Sequence, residues 1–144
     1  MSLPPGSIIH TPGHVIDLMP TLIEVTGASY PRSLHGKDII PFEGTSLVPI
    51  WNGRATDREK PLFWEFEGKH AMREGKWKLL GQEGGAWELY DLSLDRAEQE
   101  NLAAMHPERV KAMAARHTEW KNHCGIPAWE EVSGDLINIP GLKR

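Results

Sequence analysis

The stretch that decides the fold runs from residue 61 to residue 103 and reads PLFWEFEGKHAMREGKWKLLGQEGGAWELYDLSLDRAEQENLA. Between Leu62 and Glu67, successive side chains alternate with a period of two, which is typical of a strand with one buried face. Turn residues then recur at Gly68-Lys69, Glu74-Gly75 and Gly84-Gly85, between runs rich in apolar residues. The pattern predicts an antiparallel meander of about four strands.

A helix is predicted directly after this stretch. His106-Pro107-Glu108 places a proline at the first helical position and an acid in the first turn, and Gly125 is a natural stop. One face of this helix would carry Val110, Met113, Ala114, His117, Trp120 and Cys124. We expect that face to cover one side of the sheet, and Cys124 to be a half-buried thiol.

The residues before the sheet follow a different pattern. Apolar residues at helical spacing predict a helix that ends at Gly27, with Pro20 either kinking it or lying in its first turn. Residues 28–49 are expected to form a long connection without regular structure, and Ser46–Gly53 to form one helical turn. The predicted fold class is α+β: an antiparallel sheet with a packed C-terminal helix, preceded by a helix and an irregular segment.

Size and composition exclude several classes of protein. The chain has 144 residues, 40% of them hydrophobic, which suffices for one domain with a core. A net charge of -4 predicts no nucleic-acid partner. No apolar run approaches the roughly 20 residues that cross a bilayer, so no membrane span is predicted. The single cysteine rules out an internal disulfide framework.

Two motifs resemble those of a known enzyme family. The first is Asp17-Leu-Met-Pro20-Thr21. The second is Gly75-Lys76-Trp77-Lys78, followed in register by Leu89-Tyr90-Asp91-Leu92 and Asn101-Leu102. Their order resembles arylsulfatases, members of the sulfatase family in the alkaline phosphatase superfamily, and the resemblance covers residues 14 to about 125. It implies three segments: residues 1–57 as the end of the α/β catalytic domain and a connection, residues 58–125 as the C-terminal subdomain, and residues 126–144 as a tail.

The resemblance also implies the chemistry of a parent enzyme. Sulfatases hydrolyse sulfate esters with a formylglycine nucleophile, made within Cys/Ser-x-Pro-x-Arg, and a divalent cation, usually calcium. Cys124-Gly-Ile-Pro and Ser29-Tyr-Pro-Arg-Ser both fail to match that motif. We therefore predict no catalytic residue, no metal ligand and no cofactor in this chain, and no sulfatase activity for the chain alone. The catalytic half would precede residue 1.

Three cations are the candidates for contact with substrate. The rim of this subdomain can reach the active-site cleft in the family, so Lys69, His70 and Arg73 would lie near an anionic sulfate ester. An alternative for Arg73 is an ion pair across the strands with Glu65.

Other groups of polar residues have simpler explanations than a site. Glu65 and Glu67 are expected on a solvated strand face. The acids Asp91, Asp95, Glu98 and Glu100 lack the spacing of a calcium loop and are interpreted as a turn and helix cap. Histidines near the last helix are interpreted as surface or half-buried residues and not as metal ligands.

Two expectations concern partners. If the chain is part of a sulfatase, apolar residues around Leu18, Leu22 and Val25 would be covered by the missing N-terminal catalytic domain, and the isolated chain would form an oligomer of no physiological meaning. The alternative is a stand-alone binding module that stacks Trp51, Trp64 or Trp129 on a sugar or a protein. Related bacterial enzymes are often exported to the periplasm or beyond, and the residues leave the compartment open.

Overall fold

A computed structural model describes residues 4–54 and 57–137, with side chains up to residue 133. The chain divides into two compact units, an N-terminal unit up to Lys60 and a C-terminal unit from Pro61 onward. In the described residues, no helix is both long and apolar enough to cross a membrane.

The N-terminal unit is built from short elements. A 3-10 turn at Val15–Asp17 leads into helix α1, and a two-stranded antiparallel hairpin and a one-turn helix α2 follow. The bounds are α1 Leu18–Thr26, β1 Ser33–Leu34, β2 Lys37–Asp38 and α2 Val48–Trp51. Helix α1 ends at Gly27, with φ of 67°, and Pro20 lies in its first turn. The prediction that residues 28–49 lack regular structure is wrong at the hairpin, whose turn holds His35 and Gly36 at positive φ.

The C-terminal unit is a four-stranded antiparallel meander with a long helix. Its elements are β3 Leu62–Phe66, β4 Lys69–Glu74, β5 Trp77–Gln82, β6 Glu88–Asp91, α3 Pro107–His123 and α4 Trp129–Ile137. The meander and α3 are confirmed, and Gly125 ends the last turn with φ of 63°. The predicted tail, residues 126–144, contains α4 at Trp129–Ile137. Its remainder, residues 138–144, lies outside the described residues.

One row of apolar side chains crosses the whole sheet. Phe63, Met72, Leu79 and Leu89 are register partners on the four consecutive strands. The last three are fully buried, and Met113 of α3 packs on them. Each such side chain contributes roughly 1.5–3 kcal/mol when it leaves water. Burial of this row holds α3 on one face of the sheet, as the helical spacing predicts.

The turn between β3 and β4 lies one residue earlier than predicted. Phe66 pairs with Lys69, so Glu67 and Gly68 form the two-residue turn, both with positive φ. Gly68 has a second constraint, since a Cβ at this position would lie 2.9 Å from the ring of Trp129. The glycine thus permits both the turn and the contact with α4.

The Asp17 motif is an anchor of the N-terminal unit. The carboxylate of Asp17 is fully buried and accepts a hydrogen bond of 2.8 Å from Arg58 Nη2 and one of 2.9 Å from the backbone N–H of Thr45. The hydroxyl of Thr21 donates to the carbonyl of Asp17 and accepts from the N–H of Leu47. The aspartate and threonine of the motif therefore connect the start of α1 to a segment almost 30 residues later.

The environment of Asp17 shifts its titration. Burial raises the pKa of this carboxyl, but hydrogen bonds from Arg58 and from the N–H groups of Thr45 and His14 hold the pKa below its ordinary value of 3.8. The ionised form is therefore favoured in the folded state. Its contribution to stability is present above the ordinary aspartate pKa and is lost as the pH falls through the lowered pKa.

Asp17→Asn should open the N-terminal unit, because it leaves the guanidinium of Arg58 buried without its counter-charge. We expect the free energy of opening at the Thr45 amide to fall by about 3–5 kcal/mol, measured by native-state hydrogen exchange near neutral pH. In the unsubstituted chain, the protection of the Thr45 amide should also fall when the pH drops below about 4, because Asp17 becomes protonated. The variant should show no such loss of protection at low pH.

The matched control is Asp38→Asn, which changes an exposed aspartate of β2. Equal protection of Thr45 in both variants would show that the buried pair does not hold this unit together.

Candidate functional site

A polar cluster lies between the sheet and α3, beside the apolar row. Glu65 and His70 are register partners on β3 and β4, and His117 and Lys121 reach them from α3. His70 Nδ1 lies 3.5 Å from Glu65 Oε2, His117 Nε2 lies 3.8 Å from the same oxygen, and Lys121 Nζ lies 3.7 Å from Glu65 Oε1. We call these four side chains the buried cluster.

The tautomer of His117 follows from one contact. Its Nε2 lies 3.2 Å from the backbone carbonyl of Trp64. A carbonyl oxygen can only accept, so Nε2 carries the hydrogen and donates it. Burial lowers the pKa of His117 below 6.5; the Trp64 hydrogen bond and the Glu65 charge oppose that shift, while His70 and Lys121 add to it. The neutral imidazole is therefore favoured in the folded chain.

The second face of the sheet carries a cavity of about 530 Å³. Two neighbouring register rows line it, and each combines apolar and polar side chains. The rows are Trp64–Ala71–Leu80–Glu88 and Phe66–Lys69–Gln82. Such a mixture of aromatic rings, an ammonium group, a carboxylate and an amide suits a polar organic ligand with an apolar face.

The three predicted cations do not form one group. Lys69 and His70 both border the cavity, whereas Arg73 is not among the residues that line it. The side chain of His70 lies on the other face, where its ring contacts that of Trp87 in a tilted arrangement with 4.9 Å between the centroids. Arg73 Nε donates to the carbonyl of Gly75. Proximity of these residues to a substrate stays a prediction.

Two expectations about Glu65 are wrong. Leu62, not Glu65, is the partner of Arg73, so the suggested ion pair across the strands does not form. The side chain of Glu65 is only 11% exposed beneath α3 and is not on a solvated face. Glu67 does not share its face, because it lies in the turn after β3.

The acidic stretch after β6 is a structured turn. Asp91 accepts a hydrogen bond of 2.6 Å from Lys76 Nζ and others from the backbone and hydroxyl of Ser93. Asp95 accepts from the N–H groups of Gln99 and Glu100. The turn interpretation is confirmed. The helix-cap part is wrong, since α3 begins only at Pro107.

The residues present do not fit a formylglycine or calcium site. Cys124 is exposed, which corrects the expectation of a half-buried thiol, and lacks the proline and arginine that the modification motif requires. Over residues 4–54 and 57–137, no three His, Cys, Asp or Glu side chains are arranged to hold a metal ion.

The sequence patterns did not predict the buried cluster. His70 and His117 are 47 positions apart, and their rings lie 5.4 Å from each other. The available signal was a histidine on the apolar face of α3, opposite a strand face with an acid and a second histidine. Of the three tryptophans that were candidates for stacking on a sugar or a protein, Trp51 is 45% exposed, whereas Trp64 and Trp129 are half-buried.

Comparison with known proteins gives consistent matches. No family model matches the chain. An uncharacterized sulfatase of Schizosaccharomyces pombe is 34% identical over 119 residues, which are 78% of this chain and 22% of that protein. Arylsulfatase K of Xenopus laevis is 29% identical over 76% of this chain and 22% of its own length. The chain thus spans about a fifth of the length of the curated relatives that it matches.

Solved structures share the fold. A 2-O GAG sulfatase superimposes with a TM-score of 0.56 and 24% identity, over 76% of this chain and 25% of that one. The four-stranded sheet with its helix matches such neighbours. By sequence match and by fold, the chain belongs to the sulfatases and corresponds to the C-terminal part of such proteins.

Proposed function

We propose that the chain serves an arylsulfatase-like sulfuric ester hydrolase as its C-terminal part, packing on the catalytic domain and shaping the substrate cleft. The observation that carries this proposal is the match to sulfatases over 78% of this chain but only 22% of the relative's length. Most of such an enzyme would lie outside the residues described above.

The exposed face of α1 supports a docking role. Val15, Leu18, Met19, Leu22 and Val25 are all exposed, and they follow helical spacing along one side of the 3-10 turn and α1. Exposed apolar surfaces of this kind usually mark a contact with another protein or domain. A preceding catalytic domain is the partner that the sulfatase match favours.

The cavity on the second sheet face supports a role in the cleft. Lys69 can donate charge-assisted hydrogen bonds to a sulfate group, and the rings of Trp64 and Phe66 offer apolar surface to an aryl group or a sugar. Lys69 would then bind the anionic substrate and orient it. The sequence has no formylglycine motif, and the described residues hold no set of ligands for a divalent metal ion, so bond cleavage would depend on groups in the catalytic domain.

A second candidate function is a stand-alone sugar-binding or protein-binding module. The aromatic lining of the same cavity is the observation that favours it. The exposed apolar side of α1 disfavours it, because an independent module gains nothing from leaving that surface in water.

If the chain is part of a longer sulfatase, that longer protein should hydrolyse p-nitrophenyl sulfate in the presence of calcium, and the 144-residue chain alone should not. The physical reason is that the chain lacks the modification motif and a set of cation ligands within its described residues. Release of nitrophenol is followed by absorbance. Turnover by the isolated chain above the buffer rate would contradict the proposal.

In the longer protein, Lys69→Ala should raise KM about tenfold with a smaller change in kcat, because a charge-assisted hydrogen bond to bound substrate is lost. Lys60→Ala changes an exposed lysine outside the cavity and is the control. Identical steady-state kinetics for both variants would show that Lys69 does not contact the substrate.

The isolated chain should self-associate through α1. We expect light scattering after size exclusion to give a dimer or larger species, and Leu22→Glu to shift it toward monomer. Leu34→Glu is a matched control, since both leucines are 58% exposed in the same unit. A sharp monomer peak for the unchanged chain at high concentration, or an equal effect of both variants, would count against the docking face.

A further inference from the structure

The cavity on the second face of the sheet contains two opposite charges. Lys69 lies on β4 and Glu88 on β6, and both border the cavity. Two strand spacings of about 4.8 Å and two residue steps of about 3.3 Å separate their Cα atoms, which gives roughly 12 Å. Within the part of the chain that the structure describes, neither side chain belongs to an ion pair. Both charges are therefore available to a ligand.

The surface between the two charges is apolar. Ala71 and Leu80 are register partners on β4 and β5, and Leu80 pairs in turn with Glu88. Both apolar side chains line the cavity, as do the rings of Trp64 and Phe66. A ligand that reaches from Lys69 to Glu88 must cross this surface, which favours a hydrocarbon segment between its polar ends.

Tyr90 holds the carboxylate of Glu88 in place. Its hydroxyl donates a hydrogen bond of 2.8 Å to Glu88 Oε2, and the tyrosine is only 7% exposed. Burial raises the pKa of Tyr90 to about 12, and the hydrogen bond to Glu88 adds to that shift. The hydroxyl therefore keeps its proton near neutral pH and remains a donor. The bond orients the carboxylate and leaves Oε1 of Glu88 for a ligand.

The carboxylate of Glu88 restricts the charge of the ligand. It repels a ligand that is only anionic, and Lys69 repels a ligand that is only cationic. A hydroxyl group can donate to Glu88, but it does not offset the repulsion between the carboxylate and a sulfate group. An ammonium group does both, so a ligand with one charge of each sign gains at both ends. Repulsion of the wrong ligand is a common source of specificity.

We propose that the cavity selects sulfate esters that carry an ammonium group at the opposite end of an apolar segment. The sulfate binds Lys69, the ammonium group binds Glu88, and the apolar segment lies on Ala71 and Leu80. Glu88 determines the specificity, and Tyr90 is a positioning residue that acts through it. This inference rests on the proposed role of the cavity in the substrate cleft and adds the class of ester.

Two matched probes test the selectivity. Aminohexyl sulfate ends in an ammonium group, and hydroxyhexyl sulfate has a hydroxyl group in its place. Their binding to the full chain can be measured near neutral pH by NMR, from the shifts of the backbone amides of β4 and β6. We expect aminohexyl sulfate to bind about tenfold tighter, because only its ammonium group offsets the charge of Glu88.

Substitutions assign the preference to individual side chains. Glu88→Gln should remove it, because the amide keeps the shape of the side chain without its charge. Lys69→Ala should weaken the binding of both probes. Tyr90→Phe should reduce the ratio of the two affinities, whereas a general loss of structure would weaken both probes equally. Glu100→Gln is the control and should change neither affinity, since it alters an exposed acid outside the cavity.

The comparison of the two probes in the unchanged chain requires no substitution, so it tests the proposal even if a variant does not fold. Equal affinities, or a preference that survives Glu88→Gln, would overturn the selectivity. If hydroxyhexyl sulfate then still binds, and binds more weakly in Lys69→Ala, the proposed role of Lys69 in the cleft stands. If neither probe binds, both the selectivity and that role of Lys69 fail.

Discussion

The contact on which the C-terminal unit depends is that between α3 and the row Phe63–Met72–Leu79–Leu89. This row crosses all four strands, and Met113 closes over it. Its position determines what lies beside it: Glu65 and His70, two register positions from Phe63 and Met72, must share the same face of the sheet and so meet His117. The apolar layer thus places polar side chains in a largely buried space beneath α3, and the cavity lies on the second face of the sheet.

Local patterns were sufficient to predict the sheet and α3. The period of two before Gly68 and the helical spacing from Val110 to Trp120 each describe contacts that a short window contains. The turn between β3 and β4 lies one residue earlier than predicted, because both Glu67 and Gly68 adopt positive φ and the pattern favoured only the glycine. The hairpin of β1 and β2 was missed because two-residue strands carry no periodicity.

The sites were less predictable because their parts are distant in sequence. Asp17 meets Arg58 across 41 positions, and Glu65 meets His117 across 52, so neither pairing leaves a local pattern. Family resemblance supplied what spacing could not, namely the kind of enzyme. It did not supply the role of Asp17 or Thr21, which the structure shows to be anchoring residues, or the cluster beneath α3.

We propose that this chain is the C-terminal part of a larger sulfatase and that the reactive groups lie before it in the same polypeptide. The most direct measurement is the DNA sequence upstream of the codon for Met1. We expect an open reading frame that continues upstream and encodes a Cys/Ser-x-Pro-x-Arg motif in the same frame. An in-frame stop codon with a ribosome-binding site immediately before Met1 would contradict it.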